Sequence, residues 1–287
     1  MVFKTNRSAT LLELCTEVFP ESSKTTIRSW IEQGRIAVEG KRVFRSNTQV
    51  PAGATIELLA RPHPKEGPLT IHYEDAHIIV VEKPSGLLSV ATDGGTEPSV
   101  HAWIKHRYPG RRIPVVHRLD KDTSGLMVFA LTDTAFHILK EELKNRKVKR
   151  LYRAVVEGRL EGRGTWDSFL LEDPSLTMRV VPAGTKGSER AITRYTVLKN
   201  SKEFSLIDCE LTTGKKNQIR AQAAAASHPV AGDRKYGALN PRAWRLCLHA
   251  RILEFDHPIL KKPMRFESPP PRFFEKLLSP LQAPLPS

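Results

Sequence analysis

Three cysteines in 287 residues, Cys15, Cys209 and Cys247, are too few and too scattered for a disulfide framework. No Cys-x-x-Cys pair offers a structural zinc site, and this usage fits a reducing compartment. Long apolar runs are also missing. The longest, such as Leu126 to Leu131, are far too short to span a bilayer. The opening Met1-Val2-Phe3-Lys4-Thr5-Asn6-Arg7 lacks the apolar segment of a secretory signal. A soluble, cytoplasmic chain with no membrane partner is expected. Nucleophile-elbow, His-Glu-x-x-His and Walker-type patterns are absent; Gly184-Thr185-Lys186-Gly187-Ser188 has the wrong spacing for a phosphate loop. Asp120 and Asp122 lie near His117, but no third ligand completes a metal site, so none is expected.

Acidic residues are in short supply as well. Thirty-one Asp and Glu face 45 Lys and Arg, a net charge of +14. That balance suits a polyanion, most simply nucleic acid. Residues 1–62 carry nine basic and six acidic residues, leaving 36 against 25 for the remainder. The larger part therefore has its own claim on a polyanion.

The chain reads as a small unit, a linker and a large unit. Residues 8–60 contain two short amphipathic helices. Ser8 can cap the first, with Leu11, Leu12, Cys15, Val18 and Phe19 on its apolar face. Ser22 or Ser23 can cap the second, with Gly34 ending it. Strand-like Arg35-Ile36-Ala37-Val38, a turn at Glu39-Gly40 and a return through Leu58 follow. Residues 61–68 hold three prolines and a glycine, the composition of a linker. The large unit is expected over 69–275 and a proline-rich tail over 276–287.

In the large unit, strands are expected at Thr70 to Tyr73, His77 to Glu82, Ile113 to Val116 and Leu126 to Leu131. Helices are expected at Ser99 to Arg107 and from Thr132, with Phe136, Leu139 and Leu143 on one face. The second runs into Lys144-Asn145-Arg146-Lys147-Val148-Lys149-Arg150, five basic residues in seven. So many exceed what capping requires and read as a phosphate-binding surface, with Lys147 and Lys149 as candidates. Four strand-like segments follow without regular intervening helices. An α+β domain with a mostly antiparallel mixed sheet is expected, beside a smaller α/β unit.

The chain is organised around His117-Arg118-Leu119-Asp120-Lys121-Asp122-Thr123-Ser124-Gly125, a polar turn expected between two buried strands. This stretch resembles the signature of RluA-type RNA pseudouridine synthases, in which the Asp matching Asp120 is catalytic. Lys83-Pro84-Ser85-Gly86 is similar to the element that precedes the catalytic loop in that family. Leu211-Thr212-Thr213-Gly214-Lys215-Lys216-Asn217-Gln218-Ile219-Arg220 resembles a further motif, whose Arg pairs with the catalytic Asp. Tyr152 matches the family's active-site Tyr. Asn217 and Gln222 stand where the family usually has His, so no RNA contact is assigned to them. Residues 8–60, centred on Gly34 to Lys41, resemble the S-four-like RNA-binding domain.

The resemblance implies the pseudouridine synthase fold and an isomerase that flips specific uridines out of structured RNA. Asp120, Tyr152 and Arg220 are its expected catalytic residues. Arg118 would fill the gap left by the flipped base, and His117 would orient the loop. Lys24, Arg28, Arg35, Lys41 and Arg42 would meet RNA through the small domain. Members with this appended domain commonly act on large-subunit ribosomal RNA, the expected substrate. A tRNA-directed enzyme and a non-catalytic RNA-binding or ribosome-assembly factor are the alternatives. Isomerisation exchanges no electrons overall, so no cofactor is expected, and a monomer without a DNA partner is implied. A carboxylate could attack the sugar, stabilise positive charge there or remove a proton from it. The sequence leaves these routes open.

Overall fold

A computed structural model of the chain describes residues 2–32, 35–43, 45–59, 69–91 and 97–279. The expected helix stop at Gly34, the linker 61–68 and residues 280–287 of the tail lie outside them. The chain divides into two compact units, one of Met1–His63 with Leu239–Arg245, the other of Pro64–Ala238 with Leu246–Ser287.

The first unit contains β1 (Val2–Lys4), β2 (Ala9–Thr10), α1 (Leu11–Val18), α2 (Lys24–Glu32), β3 (Ile36–Val38), β4 (Lys41–Val43), β5 (Gln49–Val50) and β6 (Thr55–Leu58). The order β1-β6-β3-β4 makes an antiparallel sheet, with β2 and β5 a separate short ladder. β1 thus lies ahead of the boundary expected at residue 8. The cap of α1 is Thr10 rather than Ser8. Its hydroxyl accepts the Glu13 N–H while the Glu13 carboxylate accepts the Thr10 N–H, a reciprocal capping box. Ser23 caps α2 by accepting the Thr26 N–H. Leu11, Leu14, Cys15, Ile27, Ile31, Ile36 and Ile56 form the core, and burial pushes the Cys15 thiol up to about 12, which leaves it an unreactive thiol.

The second unit contains β7 (Thr70–Glu74), β8 (Ile78–Lys83), α3 (Val100–Arg107), β9 (Ser124–Ala130), α4 (Asp133–Lys144), β10 (Lys149–Glu157), β11 (Arg163–Glu172) and β12 (Met178–Val181). It continues with β13 (Glu189–Asn200), β14 (Phe204–Leu211), α5 (Gln218–Ala225), a 3-10 turn at Arg234–Tyr236, β15 (Leu248–Asp256), β16 (Pro263–Glu267) and α6 (Phe273–Leu278). Ten strands form one sheet in the order β12-β11-β13-β14-β10-β15-β9-β8-β7, with β16 also on β15. Every pairing is antiparallel except β15 with β9. The expected α+β class with a mostly antiparallel sheet is therefore the observed one.

β9 is buried along its whole length, and α4 lies against it with Ala135 and Leu139 in a core shared with Ile78, Val80, Val128 and Phe255. The parallel pairing sets Gly125 opposite Ala250. Gly125 has φ +116°, and a Cβ there would sit 2.2 Å from the Ala250 carbonyl oxygen. Only glycine lets the chain leave the loop and enter β9 at this separation.

Two expectations are corrected. Residues 113–116 form no strand: both edges of β9 are taken, by β8 and β15, so the segment has no ladder to join. His101 Nε2 instead meets the Ile113 carbonyl at 2.7 Å. The proline-rich tail does not begin at 276, because α6 runs to Leu278 with Phe274, Leu277 and Leu278 buried. Among the described residues no helix is long and apolar enough to cross a membrane.

Candidate active site

Residues 117–123 leave no regular element, so their shape is set by side chains reaching in from elsewhere. Lys83, fully buried, donates to the carbonyls of Pro84, Leu87 and Lys121 at 3.0, 2.8 and 2.7 Å. Gly86 N–H donates to the same Lys121 carbonyl, and Ser85 Oγ donates to that of Asp122. Ser89 Oγ both donates to the Leu119 carbonyl and accepts the Leu119 N–H. The Lys-Pro-Ser-Gly element is thus the loop's clamp, and Asp120 sits between two pinned carbonyls. A group held this way needs little reorganisation to act.

His117 is a second anchor. Its Nε2 accepts the Val128 N–H at 3.1 Å, which makes it the neutral Nδ1–H form. Burial, with Arg150 and Lys140 adding to it, pushes its pKa down to about 3. A depressed histidine supports the fold fully above its unfolded value of about 6.5 and loses that support as pH falls toward 3. By pH 5 the loss is expected to reach up to about 2 kcal/mol. Thermal melts at pH 7.5 and 5 should show the wild type losing more stability than His117→Asn. Equal losses would mean that His117 does not carry this linkage.

Arg220 comes from the first turn of α5. That helix starts at Asn217, whose φ of 50° is left-handed, a conformation Asn tolerates well. The Arg220 Nη1 donates to Asp120 Oδ2 at 3.1 Å. Its bidentate partner is Asp233: Nε and Nη2 donate to the two carboxylate oxygens at 2.6 and 2.8 Å. The pairing with Asp120 is therefore a single bond, and the bidentate fork belongs to a second acid. Burial works against the Arg220 charge, but the hydrogen bonds and charge of Asp233, joined by Asp120, hold its pKa above the usual guanidinium range. Burial also pushes the Asp233 carboxyl up, and the guanidinium pulls against it.

The positions that depart from the family pattern have clear parts. Asn217 Oδ1 accepts from Arg220 Nη1 at 3.1 Å and its Nδ2 donates to the Tyr236 hydroxyl at 3.1 Å, while the Tyr236 ring lies 4.9 Å beneath the guanidinium. Gln222 is buried away from any surface. It accepts from Thr193 Oγ1 and donates to Trp166 O, Ser168 Oγ and Ala191 O, tying α5 to β11 and β13. No RNA contact is available to it.

Tyr152 lies on β10 at a bulge between Leu151 and Tyr152 in the ladder with β15. A bulge re-aims the side chain, and here Tyr152 joins Asp120, Arg118, Arg150 and Arg220 around a cavity of about 430 Å3. It is only 7% exposed, so the ring forms a wall rather than a free surface. Burial raises its pKa, keeping the hydroxyl neutral.

Lys140, Lys144 and Lys215 line the cavity as well, with Arg118. Lys147 and Lys149, the expected phosphate candidates, do not line it; Lys149 pairs with Glu254 at 3.5 Å. Lys140 and Lys144 share a face of α4 at i, i+4, a spacing the sequence shows plainly once the cavity is known. In the first unit, Lys24, Arg28, Lys41 and Arg42 are exposed, and Arg42 also lies over Trp244. Arg35 is not: it is buried, with its guanidinium 5.1 Å over Trp30, and serves that core instead of a phosphate. Sequence reasoning assigned no role to Asp233, although Pro229 to Asp233 follows the motif ending in Arg220.

Residues 77–225 match the family of RNA pseudouridylate synthases. The chain is 34% identical to a ribosomal large subunit pseudouridine synthase D of Xylella fastidiosa, over 93% of this chain and 87% of that protein. It is 34% identical to the protein of that name from Escherichia coli K12, over 93% and 89%. A human structure, RNA pseudouridylate synthase domain containing 1, superposes with a TM-score of 0.58 at 26% identity, covering 70% of this chain and 83% of that one. With the motif run, the sheet and the Asp–Arg pair on one cavity, the chain belongs to the RNA pseudouridylate synthase family.

Proposed function

We propose that this enzyme isomerises uridines of large-subunit ribosomal RNA, with Asp120 as the catalytic carboxylate. The observation that carries the reading is Asp120 on the wall of a cavity of about 430 Å3, held by Arg220 at 3.1 Å on a loop clamped from beneath. Such a volume takes a flipped nucleotide. Tyr152 supplies the flat wall against which the uracil stacks. Arg118, exposed beside the carboxylate, takes the place of the extruded base. His117 orients the loop. The two bacterial relatives are named for the ribosomal large subunit, which favours that RNA over a tRNA. The intact Asp120, Tyr152 and Arg220 favour an enzyme over a binding factor. We read the enzyme as a cytoplasmic monomer whose redox-neutral rearrangement needs no metal or cofactor.

Residues 8–60 act as an RNA-binding domain, with Lys24, Arg28, Lys41 and Arg42 facing phosphates; Lys147 and Lys149 extend the basic surface of the catalytic part. Replacing Lys24, Arg28 and Lys41 together by Ala is expected to lower the slope of log affinity against log salt by about two to three, without changing the single-turnover rate. An unchanged slope would assign this domain to another partner. The activity itself is tested by tritium release from C5-labelled uridine in an unmodified large-subunit transcript, followed by mapping of the pseudouridines formed. No release from this RNA, or release only from tRNA, would overturn the substrate assignment.

A further inference from the structure

Three guanidiniums line the cavity, and Arg118 and Arg220 have the parts given above, which leaves Arg150. Arg220 is committed elsewhere: Asp233, Asp120 and Asn217 take four of its donors and Tyr236 its face. Arg150 lies two residues before Tyr152 on β10. Among the described residues no carboxylate pairs with it. Its hydrogen bond is a long one, Nη2 to the Thr213 carbonyl at 3.4 Å, and its Nε is sealed from solvent without an acceptor. Leaving such a donor unpaired and buried costs free energy, and the fold keeps it there.

The chain also makes room for this group. A Cβ on Gly214 would stand 2.6 Å from Arg150 Nη1 and 3.3 Å from Nη2. The backbone ahead of α5 therefore passes against the guanidinium and fixes it on the cavity wall. Arg150 lines the same cavity as Tyr152 and His117, and its charge reaches both.

A charge in that place answers a need of the reaction that Asp120 cannot meet. By every route open to the carboxylate, the N1–C1′ bond breaks with its electron pair leaving on the uracil. That pair, returned from the ring, then makes the C5–C1′ bond. The C5 proton passes to water and N1 takes one up, so atoms and electrons balance with no other reactant. Between the two steps the base is an anion whose charge is spread over N1, O2, O4 and C5. Resting on the function proposed above, we propose that Arg150 is a catalytic residue that holds this uracil anion by donating to a ring carbonyl oxygen. A half turn about the N3–C6 axis carries C5 to the place of N1 and O4 to the place of O2. One fixed fork therefore serves the base before and after it turns, as a planar guanidinium does and a point charge does less well.

The test is single-turnover kinetics at saturating RNA on the full chain, with filter binding of the same RNA. Arg150→Gln is expected to slow tritium release about 10²-fold, the usual effect of removing one donor to a developing anion. Arg150→Lys should lie between, and RNA affinity should stay within about twofold in both, because the contact forms only as the bond breaks. The diagnostic arm uses RNA carrying 5-fluorouridine, whose ring carries negative charge more easily, read as loss of 5-fluorouridine from nuclease digests. There the Arg150→Gln deficit should shrink about tenfold. Gly214→Ala, which displaces the guanidinium without touching its charge, should show the same narrowing. A deficit of equal size for both bases, or none, overturns the role of Arg150. A wild type that acts on neither RNA overturns the function instead.

Discussion

Asp120→Asn is expected to reduce tritium release by at least about 10⁴-fold while the folded protein and its hold on RNA stay nearly unchanged. The amide has the size of the carboxylate but neither its charge nor its basicity. Its oxygen can still accept from Arg220 Nη1, now at 3.1 Å from the carboxylate. The loop itself depends on Lys83, Ser85, Gly86 and Ser89, none of which bonds the Asp120 side chain. Arg220 keeps both bonds to Asp233. A partly exposed pair with a single bond is worth at most about 1 kcal/mol, so the melting temperature should move little. Chemistry has no such reserve, since no other carboxylate lines the cavity among the described residues. Release at the wild-type rate from Asp120→Asn would remove Asp120 from the catalytic role. A variant that lost RNA binding in parallel would show that the side chain holds the substrate rather than transforms it.

Much of the fold was legible because local signals and tertiary demands agree in its centre. β9 is a continuous apolar run because it is buried on every side, and α4 carries its cap at Thr132 and its apolar stripe where the sequence sets them. The rim was not legible. β12 and β16 are short, half-exposed strands, and Pro263 at the first position of β16 argues against a strand until the edge it occupies is known. Ile113 to Val116 erred in the other direction. Four apolar residues read as a strand, but a strand needs a free edge, and that depends on partners far away in the chain.

The site divides in the same way. His117 to Gly125 and the segment ending in Arg220 carry their meaning locally, because resemblance fixes residue types at fixed spacing. What pairs with what does not follow from spacing. Asp120 and Arg220 are 100 residues apart, and nothing in the sequence says that the guanidinium is shared with Asp233. Lys83 looked like part of a motif and proves to be the clamp beneath the loop. Arg150 looked like one basic residue among five in a surface run. The bulge beside Tyr152 and the bare backbone at Gly214 single it out from its neighbours, and both are visible only in three dimensions.

Asp233→Ala is expected to be the most destabilising single change at the site. Asp233 is 2% exposed and makes two of the four side-chain hydrogen bonds that Arg220 donates. Without it a buried guanidinium keeps one carboxylate, which is itself only singly bonded and partly solvated. Breaking a buried pair from one side costs about 3–5 kcal/mol, because the charge left behind is uncompensated. For a domain of this size that corresponds to a drop of roughly 10 °C in melting temperature. Activity should fall too, since a released Arg220 either collapses onto Asp120 or leaves the site for water. The second variant that separates these effects is the double change Asp233→Leu with Arg220→Met. Removing both charges relieves the uncompensated burial, so stability should return most of the way. Activity should not, because Asp120 then loses the hydrogen bond from Arg220 that orients it. If Asp233→Ala melts with the wild type, Arg220 is not held by Asp233 as described. If the double variant regains turnover along with stability, Arg220 serves the fold alone and has no part in positioning the carboxylate.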